Sequence, residues 1–308
     1  MDSVLAQERV RAYWNQKPCD SETSGEEPWS REYFQDIERK RYELQPHIPE
    51  ILSRIDWRGK RVLEVGAGMG TDARNIIGRG GIYTGINVDR GSTEATSRAL
   101  RIFSLPGAAL ERDATSLDFP NDWFDVVYSF GVLQHIPRAE KALAEIHRVL
   151  KPGGEVIAMV YNRSSINYRL EIMFLRKLGL RLLSVPGAVA ILERMGLPRD
   201  KLERHKELYR QRGRMSDAEW LSRNTNGPDY PHCRVYDAAE AAQLFAGFRI
   251  DANEAYFFDH RHWGVLGRLM PQRLRTALGR RWGWHRIVHA RKELGKALPR
   301  DAKPGDAA

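Results

Sequence analysis

In the stretch LEVGAGMG, residues 63–70, one acid and three glycines stand where a strand would turn into a helix. Gly66, Gly68 and Gly70, with Ala67 between the first two, let the backbone turn tightly and bring its N–H groups against a ligand. Glu64 precedes them. A pyrophosphate would want free N–H groups at a helix start and no carboxylate beside them, so G-x-G-x-G behind an acid suits a ligand that carries positive charge. Further on, GINVD at 85–89 closes a second strand, where an acid usually holds a ribose; this chain has Asn87, followed by Val88 and Asp89. Residues 87 and 89 share parity on a strand and can face the same side. Asn87 can donate to one hydroxyl and accept from another, without the strength of a charge-assisted bond. The ribose contact is therefore assigned to Asn87, with Asp89 auxiliary and free to cap the next helix.

A sheet must position these residues. From about 58 to 163, short β-branched runs alternate with helical segments, the signature of an α/β fold with a parallel sheet. Strands are expected at 61–66, 82–88, 108–113, 124–130 and 154–162. Between the last two, Ala142, Ile146, Val149 and Leu150 recur at helical spacing until Pro152 and its glycines turn the chain. A basic amphipathic stretch without strand signals runs to about Asn224. A helix at 237–247 and strands at 248–258 and 282–292 follow, and the lack of a good crossover helix between these strands suggests an antiparallel hairpin at the sheet edge. The chain divides into an N-terminal helical cap (1–57), the core (58–163), a helical insertion or lid (164–230), the C-terminal part of the sheet (231–293) and a flexible tail (294–308). The first segment, with Val4, Val10, Tyr13 and Trp14 in one patch, is read as folding over the sheet's mouth; an oligomerisation arm is the alternative. Aromatic residues in a polar segment want a surface to pack on, which favours the cap.

Hydrophobic residues fill 42% of the 308 positions, ample for a core. Cys19 and Cys233 have no C-x-x-C spacing and no histidine cluster, so neither a disulfide framework nor a metal site is indicated, and a reducing, cytoplasmic setting fits. No apolar run reaches the ~20 residues needed to cross a bilayer, and the N-terminus lacks the layout of a signal peptide. The 49 Lys and Arg exceed the 40 Asp and Glu for a net charge of +9. The excess gathers in residues 169–214 and beyond Arg261, as a solvated helix face or a surface for an anionic partner.

Taken together, the motifs resemble the class I S-adenosylmethionine (SAM) dependent methyltransferases over about Lys60 to Asn162. GIN (85–87), RDATSLDFPNDWFDVVYSF (112–130), GVLQHIP (131–137) and EIHRVLKPGGEV (145–156) follow the glycine loop in that family's order. WNQKPC (14–19), KRYELQPHI (40–48) and RVYDAAEAAQLFAGF (234–248) are similar, more loosely, to a bacterial small-molecule subgroup of the methyltransferase domain 11 and 25 type. The resemblance implies a Rossmann-like, seven-stranded, mostly parallel sheet of order 3-2-1-4-5-7-6 with helices on both faces. It implies SAM as cofactor and S-adenosylhomocysteine (SAH) as product. Glu64 and the backbone from Gly66 to Gly70 would hold the methionine part, and Asn87 and Val88 would lie at the ribose. Asp113 would accept from the adenine amino group, the Ala114 N–H would meet the ring, and Phe130 and Gly131 would line the sulfonium side. A helix-capping Asp113 and a surface Glu64 are the competing readings.

Ligands of α/β sheets lie at strand C-termini, which favours His135 and Tyr161 as catalytic candidates over Tyr13, Tyr42, Asp229, Tyr230 and His232. His135 would take the proton of an oxygen acceptor, or serve only in packing. The segment after the fourth strand lacks N-P-P-[YF], and no aromatic RNA-binding segment is present, so no nucleic-acid partner is expected. The expected function is methyl transfer to oxygen or nitrogen of a small organic acceptor, as in specialised metabolism. A quinone or lipid acceptor reached by peripheral membrane contact is the second reading, a non-catalytic SAM-binding scaffold the third and a dehydrogenase the last. Ile166, Leu170, Met173, Phe174 and Leu178 share a helical side opposite arginines, as an interfacial helix requires; the same side could cover the site instead. The sequence gives no oligomeric state.

Overall fold

The computed structural model describes residues 3–183, 185–194, 199–211, 215–227, 229–263, 267 and 269–293. The segment expected to be a tail, 294–308, lies outside the described residues. Seven strands form one sheet: β1 (Arg61–Val65), β2 (Ile82–Asn87), β3 (Ala108–Glu111), β4 (Phe124–Phe130), β5 (Leu150–Tyr161), β6 (Arg249–Tyr256) and β7 (His285–Arg291). Their order is β3-β2-β1-β4-β5-β7-β6, parallel up to β5, with β7 antiparallel to both β5 and β6. This is the sheet that the resemblance implied.

The strands read as near-continuous apolar runs because both faces are covered. On β1, Leu63 and Val65 join a core with Ile146 and Phe245, whereas Val62 points the other way into a core with Ile48, Leu52, Trp57 and Ile76. Helix α4 (Thr71–Gly78) links β1 to β2, α5 (Arg90–Ile102) links β2 to β3, and α6 (Ala139–Val149) precedes β5. On α6 the helical spacing seen in the sequence turns Ala142, Leu143, Ile146 and Val149 inward.

Three helices precede the sheet: α1 (Ser3–Gln16), α2 (Arg31–Leu44) and α3 (His47–Ser53). Ser30 caps α2 by accepting from Tyr33 N at 3.0 Å, which satisfies an otherwise orphaned N–H. Phe34 and Ile37 then pack on Met69, Ala95 and Ala99 of the glycine loop and α5. Full burial of two such side chains contributes roughly 1.5–3 kcal/mol each, which ties this segment to the sheet.

After β5 the chain enters a π-helical segment, Asn167–Leu175, that runs into α7 (Arg176–Leu182); α8 (Ala188–Arg194), α9 (Arg199–Gln211) and α10 (Asp217–Thr225) follow. The wider π winding, with i→i+5 bonds, divides the apolar side expected from a 3.6-residue period. Ile172 is buried and Met173 packs inward, while Leu170, Phe174 and Leu178 are 39%, 59% and 48% exposed. Helix α11 (Ala238–Leu244) precedes β6, capped by Asp237 and Glu240 in a reciprocal box.

The connection between β6 and β7 differs from the simple hairpin expected. It contains helix α12 (Gln272–Trp282), whose Gly279, with the capping Gly283, lies against the backbone of Phe257 and Tyr256. The strands still pair antiparallel. Apolar residues of α12 such as Leu274 and Trp282 are largely exposed, so the segment carries little of the periodicity that announces a helix. Among the described residues, no helix is long and apolar enough to cross a membrane.

Candidate active site

The C-terminal ends of β1, β2, β4 and β5 border a cleft that encloses about 1070 Å³, its open mouth included. Glu64, Gly66, Ala67, Gly68, Asn87, Val88, Ala114, Phe130, Gly131, His135 and Tyr161 all line it. Two of the residues assigned to the cofactor do not. Gly70 caps α4, and a Cβ there would stand 3.3 Å from that of Ala99, so it serves helix packing. Asp113 turns Oδ1 to Thr115 N at 2.8 Å and braces the turn after β3, where no helix follows for it to cap.

Gly66 has φ +78°, and a Cβ on it would lie 2.2 Å from Val132 Cγ2, in the loop after β4. Only a bare backbone passes here. The next turn is held by Asn87: its Oδ1 accepts from Gly68 N at 2.9 Å and its Nδ2 donates to Thr96 Oγ1 at 3.2 Å. Thr96 in turn donates to Gly68 O at 2.8 Å. With its own hydrogen spent, Thr96 needs a donor opposite, which an amide provides and a carboxylate does not. Asp89 caps α5 through Oδ1, accepting from Ser92 N at 2.7 Å, and also borders the cleft.

Glu64 is 3% exposed and accepts from Tyr83 Oη at 2.6 Å. Burial, and then the nearby Asp72, raise its pKa, so it gains from any cation that enters. Asp72 accepts from Arg41 Nη2 at 2.9 Å, Tyr42 Oη at 2.9 Å and Tyr128 Oη at 3.1 Å. Tyr42 is thus a positioning residue for Asp72. Asp72, Arg41 and Asp20 all line the cleft and escaped the sequence reading. Asp72 lies just past the glycines and Arg41 within KRYELQPHI; neither position has a spacing that marks it as a site.

At the other end, His135 is 5% exposed. Its Nδ1 lies 3.3 Å from His232 O, and its Nε2 lies 3.3 Å from both Gln134 Nε2 and Asn226 Nδ2. These partners assign the hydrogen to Nδ1 and leave a lone pair on Nε2. Burial holds His135 down at about 3, so it is neutral at ordinary pH. Tyr161 stacks on Trp284 with centroids 4.3 Å apart, and burial raises its pKa and keeps it a phenol. Trp14 of α1 and buried Tyr230 stand 6.1 Å and 5.0 Å from the imidazole of His135. Tyr13 donates to Asn226 O and ties α1 to the loop after α10. Asp229 is exposed, and His232 contributes its carbonyl.

Buried acids beside a bare glycine turn, the polar groups at the end of β2, the apolar Ile86, Val88, Ala114 and Ile136, and the aromatic Trp14, Phe130 and Tyr161 line one cleft and suit the parts of SAM. Residues 63–158 match the methyltransferase domain family. The chain is 30% identical over 108 residues to phosphoethanolamine N-methyltransferase 2 of Caenorhabditis elegans, covering 34% of this chain and 24% of that protein. It is 29% identical over 139 residues to a ubiquinone biosynthesis O-methyltransferase of Pseudomonas putida, covering 43% and 58%. The matches thus span less than two thirds of these relatives' own lengths. Among solved structures, geranyl diphosphate C-methyltransferase of Streptomyces coelicolor A3(2), in complex with Mg2+, geranyl diphosphate and SAH, shares the fold at a TM-score of 0.54 and 13% identity, over 93% of this chain and 98% of that one. Residues 63–158 thus form a methyltransferase domain, set in a sheet with the strand order that the resemblance to the class I SAM-dependent methyltransferases implied.

Proposed function

We propose that the chain transfers a methyl group from SAM to an oxygen or nitrogen of a small organic acceptor. One observation carries this reading: the buried acids at the glycine turn, Phe130 and Gly131, and His135 and Tyr161 all line a single cleft. When bound, SAM supplies a methyl group on a positively charged sulfur, open to in-line attack by a lone pair. Glu64 takes the ammonium of the amino-acid tail. Asn87 meets the ribose with its remaining donor and acceptor, helped by the second oxygen of Asp89. The Ala114 N–H reads the adenine ring, and Asp113 still has an oxygen for the amino group.

Alignment in a dry site supplies much of the rate in such transfers. Trp14 and Val10 of α1 roof the cleft and exclude water. His135 is too strongly held neutral to store a proton; the O–H or N–H of the nucleophile reaches its Nε2 lone pair by displacing the Gln134 or Asn226 amide and is then aimed by it. Tyr161 donates from its phenol. Thermal shift tests the cofactor: SAH raises the melting temperature and NAD does not, and the reverse result would overturn the assignment. Incubation with labelled SAM and a metabolite extract tests turnover, because absence of any labelled product would favour a scaffold.

A second reading, a quinone or lipid acceptor, is favoured by the exposed Leu170, Phe174, Leu175 and Leu178 beside Arg169 and Arg181. An interfacial segment combines apolar and basic groups in this way. Co-sedimentation with anionic vesicles at low salt decides it, since unbound protein leaves only the water-soluble acceptor.

A further inference from the structure

We infer that Arg41, brought in by the N-terminal cap, binds the carboxylate of the cofactor's amino-acid tail and so joins cap to core when the cleft is loaded. This rests on reading the cleft as a SAM site. The tail is a zwitterion, so a site for it must offer negative charge to one end and positive charge to the other. The charged residues that line the cleft are Asp20, Arg41, Glu64, Asp72, Asp89 and Arg112. The two arginines are the cations among them. Arg112 is committed elsewhere: Nε reaches both oxygens of Asp118 at 2.7 and 2.9 Å, and Nη1 reaches Glu111 O at 2.8 Å.

Arg41 is placed at the right end. It shares the Asp72 neighbourhood with Glu64, and its guanidinium carbon lies 5.6 Å from the centroid of Phe130, another cleft residue. Its side chain is 17% exposed, and Nη2 is fixed on Asp72 at 2.9 Å. Nη1 reaches Asp20 only at 3.3 Å, and Nε is buried without a hydrogen-bond partner among the described residues. A planar fork with one arm anchored and further N–H groups weakly used or unused is suited to a second carboxylate. Asp20, on the segment after α1 that also brings Cys19 to the cleft, occupies that place weakly. The tail's carboxylate competes with Asp20 for Arg41 on α2 while its ammonium meets Glu64 on β1, so the tail as a whole bridges cap and core.

The test compares SAM with decarboxylated SAM, which keeps the sulfonium and ammonium and lacks only the carboxylate. Removing the guanidinium outright would strand buried Asp72, so Arg41→Lys is the first variant; it keeps a charge there and loses the fork. By isothermal titration, Arg41→Lys should weaken SAM about 10- to 100-fold and decarboxylated SAM by less than about threefold. Asp20→Asn should tighten SAM a few-fold and leave decarboxylated SAM unchanged, a readout free of any folding defect in the Arg41 variant. Equal losses for both ligands in Arg41→Lys, or no change for SAM in Asp20→Asn, overturn the inference. Wild-type protein that binds neither ligand overturns the SAM reading itself; wild type that binds both equally overturns only the role of Arg41.

Discussion

Replacing Asn87 separates its two tasks, ribose contact and loop anchor. Asn87→Ala leaves Gly68 N without its 2.9 Å acceptor and Thr96 without the donor at 3.2 Å. An abandoned, largely buried N–H costs about 1–3 kcal/mol, and a lost ribose bond about 0.5–1.5 kcal/mol more. The first cost falls on stability and on loop order, the second on affinity alone. SAH binding should weaken roughly 10- to 100-fold, with a lower melting temperature in the free protein. Asn87→Asp keeps the acceptor for Gly68 but sets an oxygen against Thr96 Oγ1, whose hydrogen already serves Gly68 O at 2.8 Å. Either Thr96 turns and abandons Gly68 O, or two acceptors face each other at a site only 4% exposed. The usual carboxylate should therefore be worse than the amide here, by about 1–2 kcal/mol in stability. Asp89→Ala loses a helix cap, about 1 kcal/mol, and less affinity than Asn87→Ala. Titration calorimetry with SAH and denaturant melts on the three variants read these quantities. A larger affinity loss from Asp89→Ala, or an Asn87→Asp protein as stable as wild type, would refute the reasoning.

Other expectations follow from the same geometry. Gly66→Ala must meet both φ +78° and Val132 Cγ2 at 2.2 Å, so roughly 2–5 kcal/mol should be lost, while Gly68→Ala, with φ +54° and nothing within 4 Å, should lose only about 1–2 kcal/mol; similar melts for the two would contradict the steric account. Burial holds His47 and His135 down at about 3 and His285 well below its usual value, whereas the unfolded chain takes up protons near 6.5. Stability from these groups is thus complete above about pH 6.5 and falls as pH drops below it, by about 1.4 kcal/mol per pH unit for each histidine; urea midpoints that do not move between pH 7.5 and 5.5 would argue that they are solvated. Tyr161→Phe keeps the stack on Trp284 and removes one donor, so kcat should drop with SAH affinity within about twofold; equal loss of both would make Tyr161 a cofactor residue.

Much of the fold was legible because both its signals are local. The β-branched runs from Arg61 to Tyr161 give the strands, and the spacing of Ala142, Ile146 and Val149 gives the helix that carries the chain into β5. Helix α12 was not, since most of its surface faces water and little periodicity survives. The π-helical winding at 167–175 also escaped, because the same apolar residues suit several helical pitches until neighbours such as Trp220, which donates to Ile172 O at 2.9 Å, fix one.

What the sequence by itself determined is the glycine turn behind Glu64 and the amide at the end of β2, since backbone freedom and donor count are properties of residue type. Tertiary structure decided what those groups do. It spent the side chain of Asn87 on Gly68 and Thr96, turned Asp113 to its own backbone, and brought Arg41 from some twenty-three positions upstream of Glu64 to its side. Charge pairing of this kind acts through space, across contacts that only the packed cap and sheet create, and no spacing along the chain encodes it.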